Sequence, residues 1–560
     1  MLPAGAPGID RSDPYAESFH SMWHQLLGFL LVGGYLFILI AIALYGLHRY
    51  VLLYLYCKHR DDGYKPLGQF DELPRVTVQL PMYNEDAVAE RIIRATCMID
   101  YPLDRLEIQV LDDSTDHSAD IARQACEAWA AKGYPIKYIH RDNRTGYKAG
   151  ALAAGLKQCS GQFIAIFDAD FIPPTDILHN VIQYFTDRNV GMVQVRWDHL
   201  NRNASLLTRT QAMFLDAHFV IEHTARNRSG RFMHFNGTAG VWRRKTIEDA
   251  GNWEHDTLTE DLDLSYRAQL KGWQFVYLPQ ICAPAELPSE IISFKAQAHR
   301  WTKGSFQTAI KLLWGILSSK TLSYRIKSEA FFHLTNTLVY PLMVMLVLLI
   351  YPTFFIQSLS PFDSDSWGQW IFSFSLFVLA TCSASMFFVF GQRELFGNKV
   401  GWQSVMYLPF LMALGVGMCI NNAKAVLEAI WSSIRRTPSE FVRTPKYGTG
   451  GAARHQSGVR PQRMLTFKKL WMPFVEIVFG VYVSYCMFMT ITLHCGLWAD
   501  QPTYGRISLP FLLIFATGFF YVGFGSLHML WRMNRDAHAA YELPDDAAAP
   551  PADAEAVSPT

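Results

Sequence analysis

The sequence predicts an α/β domain with a mostly parallel sheet, inserted between transmembrane helices of a multi-pass membrane protein. Half of the 560 residues are hydrophobic although 18% are charged, a mixture typical of a soluble domain joined to membrane spans. The stretch 74–315 has an ordinary soluble composition and lies between strongly apolar runs. Within it, short β-rich segments alternate with helical ones, which predicts the parallel sheet.

Five apolar runs are long enough to cross a bilayer as helices. They are residues 26–47, 331–357, 370–390, 473–495 and 509–531. We interpret the first run as a retained transmembrane helix and not as a cleavable signal. Because Arg49, Lys58 and Arg60 follow it, the next domain is predicted to lie in the cytosol.

A sixth apolar run, residues 405–431, is interrupted by one proline, two glycines and two asparagines. The segment that follows, 435–469, carries nine Lys and Arg residues against the single Glu440, which favours a cytosolic position. A further crossing would place this charge outside the cell. We therefore interpret residues 405–431 as an interfacial or re-entrant segment.

These assignments divide the chain into six parts. They are an N-terminal segment with the first transmembrane helix (1–73), a cytosolic catalytic domain (74–315), interfacial and transmembrane helices (316–434), a cytosolic basic loop (435–470), two transmembrane helices (471–532) and a disordered tail (533–560). The formal net charge of +1 provides no basic field for nucleic acid. The nine cysteines show no disulfide or zinc spacing and are typical of a reduced compartment.

The predicted strands of the soluble domain are 76–80, 106–111, 136–140, 163–167 and 190–195, with helices at 118–132 and 148–158. Such alternation predicts helices on both faces of the sheet. Ligands of these sheets bind beyond the carboxyl ends of the strands. The residues that follow each strand are therefore candidate site residues.

Polar clusters follow three of the predicted strands. They are Tyr83-Asn84-Glu85 after the first, Asp112-Asp113-Ser114 after the second and Asp168-Ala169-Asp170 after the fourth. In the last cluster, a strand period of two puts both carboxylates on one face, where they can hold Mg²⁺ or Mn²⁺ against a diphosphate. The metal would neutralise charge on a leaving group. The alternative is that these aspartates only form turns.

Two further motifs lie at predicted helix starts. Lys148, in Arg144-Thr145-Gly146-Tyr147-Lys148, can face a phosphate together with free backbone N–H groups, although such a turn is a weak signal by itself. Asp261, in Thr259-Glu260-Asp261, can take a proton from an attacking hydroxyl. Acidic residues are also favoured at helix starts by capping and by the helix dipole alone.

The last motif, Gln297-Ala298-His299-Arg300-Trp301, precedes the membrane helices. Its arginine can offset the charge of a leaving group, and its tryptophan offers a flat apolar face to a sugar ring. The alternative is that the Arg-Trp pair only anchors the domain at the membrane interface.

In this order, the aspartate after the second strand, the Asp-x-Asp, the Thr-Glu-Asp and the Gln-x-x-Arg-Trp resemble the D, D, D, QxxRW signature of family 2 glycosyltransferases, in the branch with cellulose, hyaluronan and chitin synthases. The strings LDDSTD, RDNRTGYKAGAL, AIFDADF, FNGTAGVWR and KGWQFVYL are similar to plant cellulose-synthase-like A and C proteins, which make mannan, glucomannan or xyloglucan backbones. Residues 441–446 resemble the cytosolic gating loop of bacterial cellulose synthase. The resemblance implies a Rossmann-like glycosyltransferase domain of the GT-A type.

The resemblance also implies a role for each motif. For the donor, it places Tyr83, Glu85 and Asp113 at the nucleobase and ribose, Lys148 at the phosphates, and Asp168 and Asp170 at the sugar diphosphate and its Mg²⁺ or Mn²⁺. For catalysis, it implies that Asp261 is the general base, in a set with Glu260 and Arg300. For the acceptor, it places Asn236, Gly237 and Thr238 beside the sugar, and Gln297, Arg300 and Trp301 at the acceptor and the diphosphate.

The activity that this implies is an inverting, processive transfer of glucose or mannose from UDP-glucose or GDP-mannose to a growing β-linked polysaccharide. It would take place at the cytosolic face of an inner, plasma or Golgi-like membrane. The chain has fewer predicted spans than bacterial cellulose synthase, which leaves room for export partner subunits. Two alternatives remain: a non-processive transferase that glycosylates a lipid at the same donor site, and a polysaccharide transporter, which should lack a donor site.

Overall fold

A computed structural model of the chain describes residues 14–359, 367–435, 437, 467–495 and 504–541. Its strands are β1 Val76–Met82, β2 Leu106–Asp112, β3 Ile136–His140, β4 Phe163–Ile166, β5 Val190–His199, β6 Gly240–Arg243 and β7 Gln274–Ala285. Its helices are α1 Pro14–His59, α2 Asp86–Cys97, α3 Ser118–Ala130, α4 Tyr147–Gln158, α5 Ile177–Ile182, α6 Leu206–Ala217, α7 Thr224–Arg228, α8 Arg244–Asp249, α9 Glu260–Leu270, α10 Ile291–Ser318, α11 Tyr324–Thr335, α12 Val339–Leu359, α13 Trp367–Phe396, α14 Asn398–Gln403, α15 Leu408–Gly417, α16 Cys419–Arg435, α17 Phe467–Cys495 and α18 Tyr504–Tyr541. The predicted gating-like loop, 441–446, lies outside the described residues.

The sheet has seven strands in the order β3-β2-β1-β4-β6-β5-β7. All five predicted strands are present, and the pairs β1–β2, β1–β4 and β2–β3 are parallel as expected. Strand β5 pairs parallel with β7. Two strands were not predicted: β6 pairs antiparallel with both β4 and β5, and β7 forms the edge. The mostly parallel sheet is therefore confirmed, with one antiparallel strand at its centre.

Helices cover both faces of the sheet. Every residue of β1 and β2 is buried, as expected for strands with packed helices on either side. On one face, Val78 of β1 belongs to a core cluster that also contains Ile92 of α2 and Ala122 of α3. On the other face, Leu111 of β2 shares a cluster with Leu152 of α4. The loops at the carboxyl edge of the sheet therefore extend from a rigid support.

Within the part of the chain that the structure describes, five helical segments are long and apolar enough to span a membrane. They are Leu26–His59, Tyr324–Pro352, Asn398–Arg435, Lys469–Thr492 and Leu509–Arg535. Four of them contain or overlap predicted runs. The fifth is the segment that we interpret as interfacial, whereas the predicted run 370–390 lies in α13, whose side chains are described only in part.

The segment Asn398–Arg435 meets the length and composition of a membrane span, but it is not one continuous helix, since α15 ends at Gly417 and α16 begins at Cys419. Polar groups of α16 face α10: Glu428 lies 3.4 Å from the Nζ of Lys303, and Asn421 donates to the carbonyl of Lys295. These contacts support an interfacial position next to the soluble domain. The number of crossings stays a prediction.

The predicted tail begins too early. Helix α18 continues to Tyr541, because residues 533–541 include three alanines and no Gly or Pro that would end a helix. Residues 542–560 lie outside the part of the chain that the structure describes.

A buried ion pair connects α10 to the membrane helices. The Nζ of Lys295 lies 2.6 Å and 2.8 Å from the two carboxylate oxygens of Glu476 in α17, and it donates to the hydroxyl of Ser526 in α18 at 3.2 Å. Breaking one partner of a buried pair is costly because a buried charge loses its counterpart. The helix that carries the Gln-x-x-Arg-Trp motif is thus tied to two membrane helices.

Candidate active site

Strained backbone conformations cluster at the carboxyl edge of the sheet. Among the described residues, positive φ angles outside glycine occur at Asn84 (53°), Tyr147 (51°), Ala239 (55°) and Asn252 (64°). The first three lie in the loops after β1, before α4 and before β6. Such conformations persist where the surroundings enforce them, which is common at ligand sites.

The two aspartates after β2 have different roles. Asp112 is fully buried; its carboxylate accepts the N–H of Ser114 at 2.9 Å and the hydroxyl of Tyr138 at 2.7 Å, so for this residue the turn-forming alternative is correct. Asp113 instead accepts from the Nε of Arg141 at 2.7 Å. Arg141 also donates to the carbonyl of Tyr147 at 3.0 Å, and it thereby connects Asp113 to the loop before α4.

Tyr83 and Glu85 lie close to this group. The guanidinium of Arg144 is centred 3.4 Å above the ring of Tyr83, a cation–π arrangement. Glu85 is buried at the start of α2. Arg141 and Arg144 were not identified as site residues from the sequence, although both lie in the string RDNRTGYKAGAL that carried the resemblance. Only the folded loop shows that Arg141 contacts Asp113 and that Arg144 covers Tyr83.

The second group of predicted residues forms a compact cluster. The Nζ of Lys148 lies 2.6 Å from a carboxylate oxygen of Asp168 and donates to the carbonyl of Gly237 at 2.9 Å. Gly237 has φ +81°, and a Cβ there would lie 2.9 Å from the Oδ2 of Asp261. Only glycine therefore lets this backbone approach the carboxylate so closely.

Electrostatic coupling within the cluster is strong because it is buried. Burial, together with the neighbouring Glu260 carboxylate, raises the pKa of Asp261 to about 7. Burial lowers the pKa of Lys148, but the carboxylates of Asp168, Glu260 and Asp261 outweigh this effect and the net pKa is raised. Burial lowers the pKa of Arg300, against the attraction of the same carboxylates and of Asp170. Asp261 can thus exchange a proton near neutral pH.

Asp168 and Asp170 lie just past the end of β4. The sheet ends at Ile166, and the backbone turns, with the N–H of Phe171 donating to the carbonyl of Asp168 at 3.0 Å. Both residues therefore lie in a turn, so the strand alternation predicted for them does not apply. Both carboxylates act on Arg300, and both residues are partly exposed. Two accessible hard oxygen donors fit Mg²⁺ or Mn²⁺, which keep other positions for phosphate and water.

The three residues Asn236, Gly237 and Thr238, which precede β6, each make different contacts. Gly237 contacts the cluster, as described. Thr238 is fully buried and its hydroxyl accepts the N–H of Asp168 at 2.9 Å, so it positions that carboxylate and does not face an acceptor sugar. The Asn236 amide lies 3.1 Å from the Nε2 of His218 and 3.2 Å from the Nε2 of His234. Its side chain is thus directed at a histidine cluster.

Helix α10 packs directly on the segment that carries Asp261. A Cβ on Gly304 would lie 2.6 Å from a methyl group of Thr259, and the Oε1 of Gln307 accepts the N–H of Leu258 at 3.1 Å. Gln297 and Trp301, one turn or less from Arg300, are each partly buried. Gly304 and Gln307 were missed from the sequence. Their spacing from Arg300, four and seven residues, puts them on the same helix face.

A cleft adjoins the cluster; it is lined by Gly146–Ala149 on one side and by His255–Leu258 and Glu260 on the other. A nearby group of three carboxylates does not offer a metal site. The Nζ of Lys311 lies 2.5 Å from Glu254, 2.8 Å from Asp256 and 3.0 Å from Asp263, and so fills the space between them.

The mixed sheet with this carboxylate cluster and the flanking apolar helices define a membrane-bound glycosyltransferase of the GT-A type. The family model for "Glycosyltransferase like family 2" matches residues 74–304. Glucomannan 4-beta-mannosyltransferase 1 of Cyamopsis tetragonoloba is 33% identical over 489 residues, which cover 84% of this chain and 85% of that protein. The chain therefore belongs to family 2 of the glycosyltransferases, and it is similar to proteins named glucomannan 4-beta-mannosyltransferases.

Other relatives match mainly in the soluble domain. The probable glucomannan 4-beta-mannosyltransferase 6 of Oryza sativa subsp. japonica is 44% identical over 256 residues, and the match covers 45% of each protein. The match thus spans about half the length of such relatives. A solved structure, the mannosyltransferase PcManGT from Pyrobaculum calidifontis in complex with GDP-Man and Mn2+, is 21% identical with a TM-score of 0.47, covering 70% of this chain and 98% of that one.

Proposed function

We propose that this protein is an inverting, processive membrane glycosyltransferase that transfers mannose from GDP-mannose to a growing β-1,4-linked polysaccharide. The catalytic domain faces the cytosol, where nucleotide sugars are available. The names of the relatives support mannose over glucose as the transferred sugar. The sequence alone allowed either UDP-glucose or GDP-mannose as the donor. The proposed preference for GDP-mannose can be tested.

One observation carries the proposal: Asp261 lies against Gly237 in the same buried cluster as Lys148, Asp168 and Arg300. An inverting transfer needs a base on the acceptor side and positive charge on the leaving-group side of one sugar. The cluster contains both, and burial strengthens their interactions. A polysaccharide transporter without transfer activity would have no use for this arrangement.

In the proposed reaction, an acceptor hydroxyl attacks the anomeric carbon of the donor sugar while its proton passes to the carboxylate of Asp261. The bond between the anomeric carbon and the diphosphate oxygen breaks, and the nucleoside diphosphate leaves with the electron pair. Attack opposite the leaving group converts the α-linked donor into a β-linked product. Lys148 and Arg300 offset the charge of the diphosphate.

Asp168 and Asp170 hold Mg²⁺ or Mn²⁺, which supplies additional positive charge to the leaving diphosphate when it is bound. Arg141 and Arg144 support the nucleotide end: the first keeps Asp113 in place, and the second covers the ring of Tyr83. Gln297 and Trp301 lie on α10 next to Arg300, where an acceptor sugar can pack on the indole ring.

The proposal is tested with purified full-length protein, Mn²⁺ and radiolabelled GDP-mannose or UDP-glucose in parallel. We expect incorporation from GDP-mannose into high-molecular-weight product, with at least about tenfold preference over UDP-glucose, since a site that binds specific sugar hydroxyls rejects the epimer. Asp249→Asn, an exposed change at the end of α8, serves as the matched control and should retain full activity.

Product size separates this proposal from the alternative acceptor. A lipid-glycosylating enzyme would yield only a short, solvent-extractable product from the same donor. Such a product would contradict processive synthesis, whereas a preference for UDP-glucose would contradict the proposed donor.

A further inference from the structure

Three histidines, two from the turn between α6 and α7 and one from the segment before β6, lie close together next to Asn236. The ligand atoms of His218, His223 and His234 all lie within 4.8 Å of one another. The ring centroids of His218 and His223 are 4.5 Å apart, and those of His223 and His234 are 4.9 Å apart. They are not part of the carboxylate cluster that we assign to the sugar transfer.

An unusual backbone brings the first two together. Residues His218–His223 form a π-helical turn between α6 and α7, in which hydrogen bonds connect residues five apart. His218 and His223, also five apart, therefore come onto the same side, which a regular α-helix would prevent. Single π-helical turns are frequent at functional sites.

Several buried polar atoms in this cluster have no hydrogen-bond partner among the described residues. They are both ring nitrogens of His223, the Nδ1 of His234 and the Oδ1 of Asn236. The Asn236 amide approaches His223 without reaching hydrogen-bond geometry. Native proteins rarely leave buried polar atoms unpaired, and an ion or water explains such groups where they occur.

The surroundings of the three imidazoles are suited to binding a cation. His223 is fully buried and His234 is half-buried, so both rings are largely shielded from solvent. The Nδ1 of His218 lies 2.9 Å from the Oε2 of Glu222. This is the carboxylate–histidine arrangement that orients metal ligands.

We propose that His218, His223 and His234 form a structural site for one divalent transition-metal ion of the zinc class, separate from the Mg²⁺ or Mn²⁺ of the reaction. Three neutral imidazoles are a ligand set that zinc takes in a tetrahedral geometry. With zinc–nitrogen distances of about 2.0 Å, the ligand atoms would be about 3.3 Å apart, so the side chains close in by roughly 1.5 Å. The Oδ1 of Asn236 is available as a fourth group.

The consequence for the enzyme follows from the chain itself. Asn236 contacts two of the ligands, and the next residue, Gly237, contacts Asp261. A metal at this point fixes the backbone that the general base packs against. The ion has a positioning role and takes no part in the proton transfer.

The test measures metal content of the full-length protein after incubation with zinc and dialysis. Wild type is expected to retain about one zinc ion per chain, and His223→Gln, which keeps a polar side chain of similar volume, is expected to lose at least about tenfold in zinc affinity. His179→Gln, at a half-exposed histidine of α5, is the matched control and should bind zinc like wild type. The Asp168→Asn/Asp170→Asn protein should also retain zinc, since its histidines are intact.

A second measurement needs no variant. Wild type is loaded with Co²⁺, an ion that gives intense visible absorption when imidazoles bind it tetrahedrally. Nucleotide binding by His223→Gln verifies that the variant is folded. Wild type that retains no more zinc than His223→Gln, and shows no tetrahedral cobalt spectrum, would overturn the site. Loss of mannosyl transfer would not, because zinc binding is measured without substrate.

Discussion

Asp261→Asn is expected to lower the rate of sugar transfer by about 100-fold or more. The asparagine keeps the size and shape of the side chain next to Gly237, but it cannot take a proton from the acceptor hydroxyl. Nucleotide binding should remain within about twofold of wild type, because Tyr83 and Asp113, which we assign to the nucleobase and ribose, contact Arg144 and Arg141 outside the Asp261 cluster. The matched control, Asp249→Asn, removes a carboxylate from the same domain and should change neither quantity. Near-normal turnover of Asp261→Asn would remove this residue from the mechanism.

The pH profile gives an independent test of the same residue. The base works only when deprotonated, and burial and Glu260 raise its pKa to about 7. For wild type, kcat/KM should therefore rise about tenfold per pH unit below pH 7 and level off above it. Lys148 and Arg300, the positive groups of the cluster, oppose this shift. In Asp261→Asn the residual activity should lose the acid limb; an unchanged limb would assign it to another group.

Removal of divalent metal is expected to reduce transfer by at least about 100-fold. Asp168 and Asp170 offer only carboxylate oxygens, which favour Mg²⁺ or Mn²⁺ over a tightly held zinc. Activity should therefore disappear in EDTA and return with excess Mn²⁺. Asp170→Asn should need a higher Mn²⁺ concentration for half-maximal activity. This residue is preferred to Asp168, whose replacement would also remove the partner of Lys148.

The histidine site makes one further control necessary, because EDTA would also strip a transition metal from it. In His223→Gln, which lacks the histidine site, Mn²⁺ alone should restore the activity that the variant had before EDTA. Full activity in EDTA would contradict a metal at Asp168 and Asp170.

Much of the catalytic edge could be predicted from local sequence. The strands β1, β2 and β4 are short, apolar and followed by polar residues, so their common direction in a parallel sheet places those residues together. The prediction was less complete for β6, which has only four residues and runs antiparallel. The position of β6 depends on pairing with strands that are distant in the sequence, and no local sequence pattern indicates this strand.

Several site contacts depend on tertiary packing and could not be read from the chain. Thr238 follows Gly237 by one residue, yet its hydroxyl turns inward to hold Asp168. The side chain of Gln307, which lies on α10, accepts the N–H of Leu258. The histidines of the proposed zinc site have no ligand spacing in the sequence, because a π-helical turn brings two of them together and a loop supplies the third. Backbone geometry of this kind has no clear sequence signal.

The predicted membrane runs agree only in part with the candidate spans. Five candidate spans occur among the described residues; four overlap predicted runs, and one is the segment Asn398–Arg435, which we interpret as interfacial. Its α16 places Glu428 against α10, a contact that a lipid-exposed crossing helix would not need. The basic loop after it carries the resemblance to a gating loop and lies outside the described residues.

The stereochemistry of the product tests the central claim most directly. Full-length protein is incubated with Mn²⁺ and GDP-mannose labelled with ¹³C at the anomeric carbon, and the one-bond carbon–hydrogen coupling of the product is measured by NMR. Attack assisted by Asp261 on the face opposite the diphosphate predicts β-mannosyl linkages throughout a polymer that an endo-β-1,4-mannanase degrades. A product with α-mannosyl linkages would contradict an inverting transfer and the role of Asp261 as its base.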